Sequence, residues 1–192
     1  MTRDDGTDRP PQHEPRRATQ RVASLVVVHT GDGKGKTTAA MGTLLRARGH
    51  GWPVSVIQFM KSGRWRTGEE QAARQLGVDW WTIGDGFSWN SVDLPRSAGI
   101  AAEAWRAASQ IIAADAHRLV VLDEITYPMN WGWIDSSAVA EAIAGRPRRV
   151  SVVATGRDAP TELLAIADTV SEVANVRHVF DRGVKALRGI DF

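Results

Sequence analysis

Apolar residues along the chain come in short runs, separated by longer stretches in which they recur every third or fourth position. Leu25 to Val28 is the first run, and four consecutive apolar residues suit a strand buried on both faces of a parallel sheet. Thr37 to Arg48 then carries Ala40, Leu44 and Ala47 at helical spacing and stops at Gly49 and Gly51. Val54 to Phe59 reads as a second buried strand. The loop KSGRWRTGEE leads into a helix over Glu69 to Leu76, and Val78 to Ile83, rich in aromatic and β-branched residues, reads as a third strand. After the loop GDGFSWNSVDLP, a helix over Ser97 to Ala114 aligns Ile100, Ala104, Ala108 and Ile111 on one face. A strand at Leu119 to Leu122, a helix at Ser136 to Ala144, a strand at Val150 to Ala154, a helix at Thr161 to Ala167 and a strand at Thr169 to Val173 continue the alternation. This order predicts an α/β domain, a mostly parallel sheet with helices on both faces. Residues 1–20 mix charges with three prolines and almost no large apolar residue, which predicts a mobile N-terminal arm ahead of a domain spanning 21–192.

Composition narrows the picture. At 192 residues and 43% apolar, the chain is long enough for one domain with a sizeable core and too short for two comfortable ones. Its formal charge is only +2 and no dense Lys/Arg block appears, so nucleic acid is not the expected partner. There is no cysteine, which excludes disulfides and thiolate metal sites. No apolar run approaches the roughly 20 residues of a membrane span, and the first residues lack the apolar core of a signal peptide. A cytoplasmic protein without a membrane partner is expected.

The chemistry concentrates where the first strand breaks into TGDGKGKTT. Glycines at 31, 33 and 35 let the loop curl its amides around an anion. Lys36 would reach the outer phosphates of a nucleotide, the helix start would add its positive end, and the Thr37 hydroxyl would ligate magnesium. The usual GxxxxGK[ST] spacing requires a glycine where Thr30 stands, so this loop is one residue short of the ordinary nucleotide-hydrolase grip. Asp123 and Glu124 end the strand that begins at Leu119, which puts two carboxylates on the same edge of the sheet as the loop; one of them can ligate a metal or hold its water shell. Thr155-Gly156-Arg157 ends the next strand and sets an arginine on that rim, where it could touch phosphate or carboxylate. Eight tryptophans are many for this length, and Trp65, Trp89, Trp131 and Trp133 fall in predicted loops. They suit either a large flat ligand or partner, or core packing. His29, on the strand before the loop, reads as a core histidine, and no Ser/His/Asp arrangement is legible.

Taken together, TGDGKGKTTAA, QFMKSG, GEE, GDGFSW, VLDEITYP followed by WGW, TGRDAP, ADTVSE and VRHVFDRGVKALRGIDF resemble the P-loop type of ATP:corrinoid adenosyltransferase. The matching pieces span essentially everything after Ser24, and the short loop is similar to the family's own variant. Asp32 stands where many members have Asn, an extra negative charge beside the triphosphate site.

The resemblance implies a P-loop NTPase-like fold and a reaction in which a cobalt(I) corrinoid attacks the 5′ carbon of ATP and inorganic triphosphate leaves. It implies that Gly31, Asp32, Gly33, Lys34, Gly35, Lys36, Thr37 and Thr38 hold the triphosphate, with Arg46 and Arg157 assisting. Thr37 and Glu124 would hold Mg2+, with Asp123 in its outer shell, and Phe87 and Trp89 would cover the lower face of the corrinoid. It further implies a homodimer, a flavin-dependent reductase as electron donor, and an N-terminal arm that folds over the corrinoid. The acceptor stays open among cobalamin, cobinamide and cobyrinic acid a,c-diamide. A P-loop ATPase or kinase, and a non-catalytic corrinoid- or nucleotide-binding module, remain the alternatives.

Overall fold

The computed structural model describes residues 19–61, 67–84 and 93–192. Trp65, Phe87, Trp89 and the arm before Thr19 lie outside the described residues. Strands β1 (Val26–Thr30), β2 (Val54–Phe59), β3 (Asp79–Ile83), β4 (Leu119–Asp123), β5 (Ser151–Thr155) and β6 (Thr169–Glu172) alternate with helices. These are α1 (Lys36–Gly49), α2 (Gly68–Gln75), α3 (Leu94–Ala113), α4 (Thr126–Asn130), α5 (Ser136–Ala144) and α6 (Thr161–Ala165). A 3-10 turn at Val179–Arg182 follows.

All six strands pair in parallel, in the order β3-β2-β4-β5-β1-β6. Every residue of β2 and β4 is buried, which accounts for their mostly apolar sequences, with Ser55, Gln58 and Asp123 as the buried polar exceptions, whereas β6 is an exposed edge strand. Within each strand, alternate side chains enter different clusters. Val54, Val56, Leu119, Val121 and Val153 meet Ala40, Met41, Leu44 and Ala47 of α1 on one face. Ile57, Phe59, Val120, Leu122, Val152 and Ala154 meet Ala104, Ala108 and Ile112 of α3, Val139 and Ile143 of α5, and Leu163 of α6 on the other. Helices therefore cover both faces. Leu44 is essentially inaccessible, so truncating it to Ala would cost about 2–5 kcal/mol.

Two elements depart from the sequence pattern. Helix α3 starts at Leu94, three residues ahead of the predicted Ser97, because the Asp93 side chain accepts from the Arg96 amide and Pro95 sits in the first turn, where its missing amide is harmless. Helix α4 occupies a stretch that the sequence leaves as loop; five residues containing Pro128 show no periodicity to read. Among the described residues, no helix is long and apolar enough to cross a membrane.

Candidate functional site

The loop leaving β1 is pinned from above. Gly33 donates its amide to the Val173 carbonyl at 2.6 Å, and a side chain at Gly31 or Gly33 would collide with the backbone of Val173 and Ala174. Both positions therefore require glycine. Gly35 has φ +125 and opens α1, which has no side-chain cap and no acid in its first turn. The helix's positive end is left for an anion. Lys36 folds back across the loop and donates to the carbonyls of Gly31 at 2.5 Å and Gly33 at 2.7 Å. Burial and the nearby Arg157 lower its pKa.

Asp123, fully buried at the end of β4, is the hub beneath the loop. Its Oδ1 accepts from Thr37 Oγ1 at 2.9 Å and Thr155 Oγ1 at 2.7 Å, and its Oδ2 accepts from Gln58 Nε2 at 2.9 Å, with Lys61 Nζ at 3.8 Å. A buried carboxylate needs such a set of donors to stay charged. The neighbouring Glu124 takes a left-handed backbone, φ +63, an arrangement worth roughly 1–3 kcal/mol of strain. Its amide donates to Thr155 Oγ1 at 3.0 Å. Burial, and then the charge of Asp123, push the Glu124 carboxyl up to about 7, against the opposing pull of Lys61, Lys36 and Arg157.

Above this network lies a cavity of about 670 Å3, a size suited to a nucleotide-sized ligand. Residues 32–38 form its floor, and Lys61, Glu124, Tyr127 and Arg157 form part of its wall. Ile190, Asp191 and Phe192 line it as well, and Asp191 pairs with Lys34 at 2.6 Å. Arg157 stands 3.7 Å from Asp32 at the rim. Gly31 serves through its carbonyl on Lys36. Arg46 is not brought to the site: it is exposed in the last turn of α1, about 15 Å along the helix axis from Lys36 at 1.5 Å per residue.

Thr37 and Glu124 offer hard oxygen donors to the cavity, with Asp123 buried behind Thr37. Among the described residues no group of three or more His, Cys, Asp or Glu could hold a metal by itself. Magnesium is commonly bound by one or two carboxylates together with substrate phosphates and water, and the residues present fit that mode. His29 lies on β1 with its pKa lowered by burial. Of the four loop tryptophans two are described: Trp131 lies 5.6 Å from Tyr127 and 4.7 Å from Trp133 between ring centroids, and Trp133 packs against the core.

Sequence reasoning assigned no role to Gln58, Lys61, Tyr127 or Thr155, nor to residues 189–192. Gln58 and Lys61 fall inside QFMKSG, a quoted motif, so the signal was present without a chemical reason attached. Asp191 likewise falls inside the quoted motif VRHVFDRGVKALRGIDF, but its partner Lys34 lies 157 positions away, so no local pattern named the contact.

A glycine loop joining strand to helix, a lysine closing it, and a buried aspartate on a neighbouring strand bonded to the loop threonine define a P-loop nucleotide-binding protein. The sequence profile of the family described as ATP:corrinoid adenosyltransferase BtuR/CobO/CobP matches residues 23–192, and the chain belongs to that family. It is 40% identical over 173 residues to the corrinoid adenosyltransferase of Escherichia coli K12, covering 90% of this chain and 88% of that protein. It is 39% identical, with the same coverage, to the corrinoid adenosyltransferase CobA of Salmonella typhimurium. The corrinoid adenosyltransferase of Pseudomonas aeruginosa shares 40% identity over 88% of this chain and 83% of its own.

Proposed function

We propose that this protein transfers the 5′-deoxyadenosyl group of ATP to the cobalt(I) of a corrinoid, in the making or salvage of adenosylcobalamin. A cobalt–carbon bond forms, the C5′–oxygen bond breaks, and inorganic triphosphate leaves with the electron pair. The observation that carries this reading is a short loop with Lys36 and Thr37 set against Asp123, in a chain that matches the family from residue 23 to residue 192.

The leaving group acquires negative charge, so the residues' task is to position it and neutralise it. Loop amides and the α1 end hold the triphosphate. Lys36 exchanges its carbonyl partners for phosphate oxygens, while Lys34 and Arg157 approach from the sides. Magnesium, held by Thr37 and Glu124 with Asp123 behind Thr37, would supply further neutralisation of the phosphates. No side chain serves as nucleophile or base, because the corrinoid cobalt is the nucleophile.

Residues 21–192 form the catalytic unit in this reading, and the arm 1–20 folds over the corrinoid. Phe87 and Trp89 exclude water and ligand from the corrinoid's lower face. The protein works as a cytoplasmic homodimer fed by a flavin-dependent reductase. Incubation of the full chain with ATP, magnesium and chemically reduced corrinoid tests the reaction. The expected product is a light-sensitive adenosylated corrinoid; ADP and phosphate would make it an ATPase or kinase, and no conversion would make it a binding module.

A further inference from the structure

Gly156, between β5 and Arg157, has φ +146, and a β-carbon there would collide with the side chain of Thr126. Thr126 thus fills the space a larger residue would take. It is fully buried, and its hydroxyl donates to the Arg157 carbonyl at 2.6 Å. One helical turn on, Asn130 Nδ2 donates to the same oxygen at 3.2 Å. A carbonyl oxygen has two lone pairs, and α4 engages it with two side chains. A helical threonine can place its hydroxyl on a carbonyl of its own chain four residues earlier; this one is directed across to the next strand's loop.

The Arg157 guanidinium, half exposed, reaches the cavity rim beside Asp32, and its charge is felt at Lys36 and Glu124. Helix α4 begins two residues after Glu124, so one short element carries the acidic end of β4 and grips the backbone of the basic residue opposite.

We infer that Thr126 and Asn130 are positioning residues for Arg157, and that their hold on its backbone sets the guanidinium as a third cation, with Lys36 and Lys34, against a bound triphosphate. The inference rests on the reading of this cavity as a triphosphate site. Arginine's planar fork binds phosphate oxygens in pairs, which makes its orientation matter more than that of a lysine.

The test measures the affinity of the full chain for inorganic triphosphate by calorimetry. Arg157→Ala should weaken binding about 10- to 100-fold, the range of hydrogen bonds to charged groups. Thr126→Val, which keeps shape and loses the hydroxyl, should weaken it about 3- to 10-fold, and Thr126→Ser should stay within about 2-fold of the parent. In an Arg157→Ala background, Thr126→Val should add nothing, because Thr126 acts through Arg157. If Thr126→Val fails to fold, Asn130→Ala, at an exposed position, carries the same comparison. Parent-like affinity in Thr126→Val and Asn130→Ala, or equal weakening with and without Arg157, would overturn the inference. So would an Arg157→Ala protein that binds triphosphate normally. Each of those results leaves adenosyl transfer by the parent intact, whereas failure of the proposed function would appear as no adenosylated corrinoid from the parent.

Discussion

Thr37 Oγ1 donates to Asp123 Oδ1 at 2.9 Å and so ties the first turn of α1 to the end of β4, 86 positions later in the chain. The contact joins the phosphate loop to the acidic edge of the sheet, and the site's chemistry follows from it. With its hydrogen directed to Asp123, the Thr37 oxygen would keep lone pairs free to help hold a metal ion.

Lys36→Ala and Thr37→Ala should each lower adenosyl transfer by at least about 100-fold, because each removes a charge or a metal contact aimed at the leaving triphosphate. Both proteins should remain folded by circular dichroism, since neither side chain belongs to the core clusters. Near-parent turnover in both would contradict the phosphate-cradle reading.

Asp123→Ala removes the acceptor of Thr37, Thr155 and Gln58 and the partner of Lys61. Stability by urea denaturation should fall by roughly 2–4 kcal/mol, as donors are left buried without acceptors. A loss below about 1 kcal/mol would show that the network relaxes onto water.

Glu124 gives a pH signature in protein free of metal and nucleotide. Its folded-state value near 7 lies above the ordinary 4.5, so between those limits the folded chain binds more protons than the unfolded one. Stability must then decrease as pH rises through this window, by up to roughly 3 kcal/mol from this group. The difference in melting temperature between parent and Glu124→Gln should accordingly widen in favour of the variant from pH 5 to pH 8. A constant difference would place the Glu124 carboxyl in its ordinary range.

Asp191 accepts from the Leu187 amide at 2.6 Å and pairs with Lys34, and both contacts hold its pKa below the usual carboxylate range. It anchors residues 179–192 to the loop. Asp191→Ala should speed tryptic cleavage after Arg182, Lys185 and Arg188 several-fold while leaving the global melting transition nearly unchanged. Unchanged cleavage would mean that other contacts hold the segment.

Much of this arrangement was legible in the sequence because it is local. The apolar runs of β2 and β4 are buried on both faces, and the glycines, Lys36 and Thr37 lie within seven positions of one another. What sequence could not supply is long-range: the Thr155, Gln58 and Lys61 contacts to Asp123 arise from strand order, with β4 seated between β2 and β5. Arg46 failed for a different reason. It was carried over from the resemblance, while the rise of the helix sets it at the far end of α1. Helix α4 was invisible because Thr126 and Asn130 are fixed by the Arg157 carbonyl, a contact no periodicity encodes.

The central claim is that ATP is cleaved at C5′, and following the phosphate chain tests it most directly. With γ-labelled ATP, magnesium and reduced corrinoid, all label released should appear as inorganic triphosphate, one equivalent for each adenosylated corrinoid formed. Label released as monophosphate, with ADP accumulating, would contradict the account.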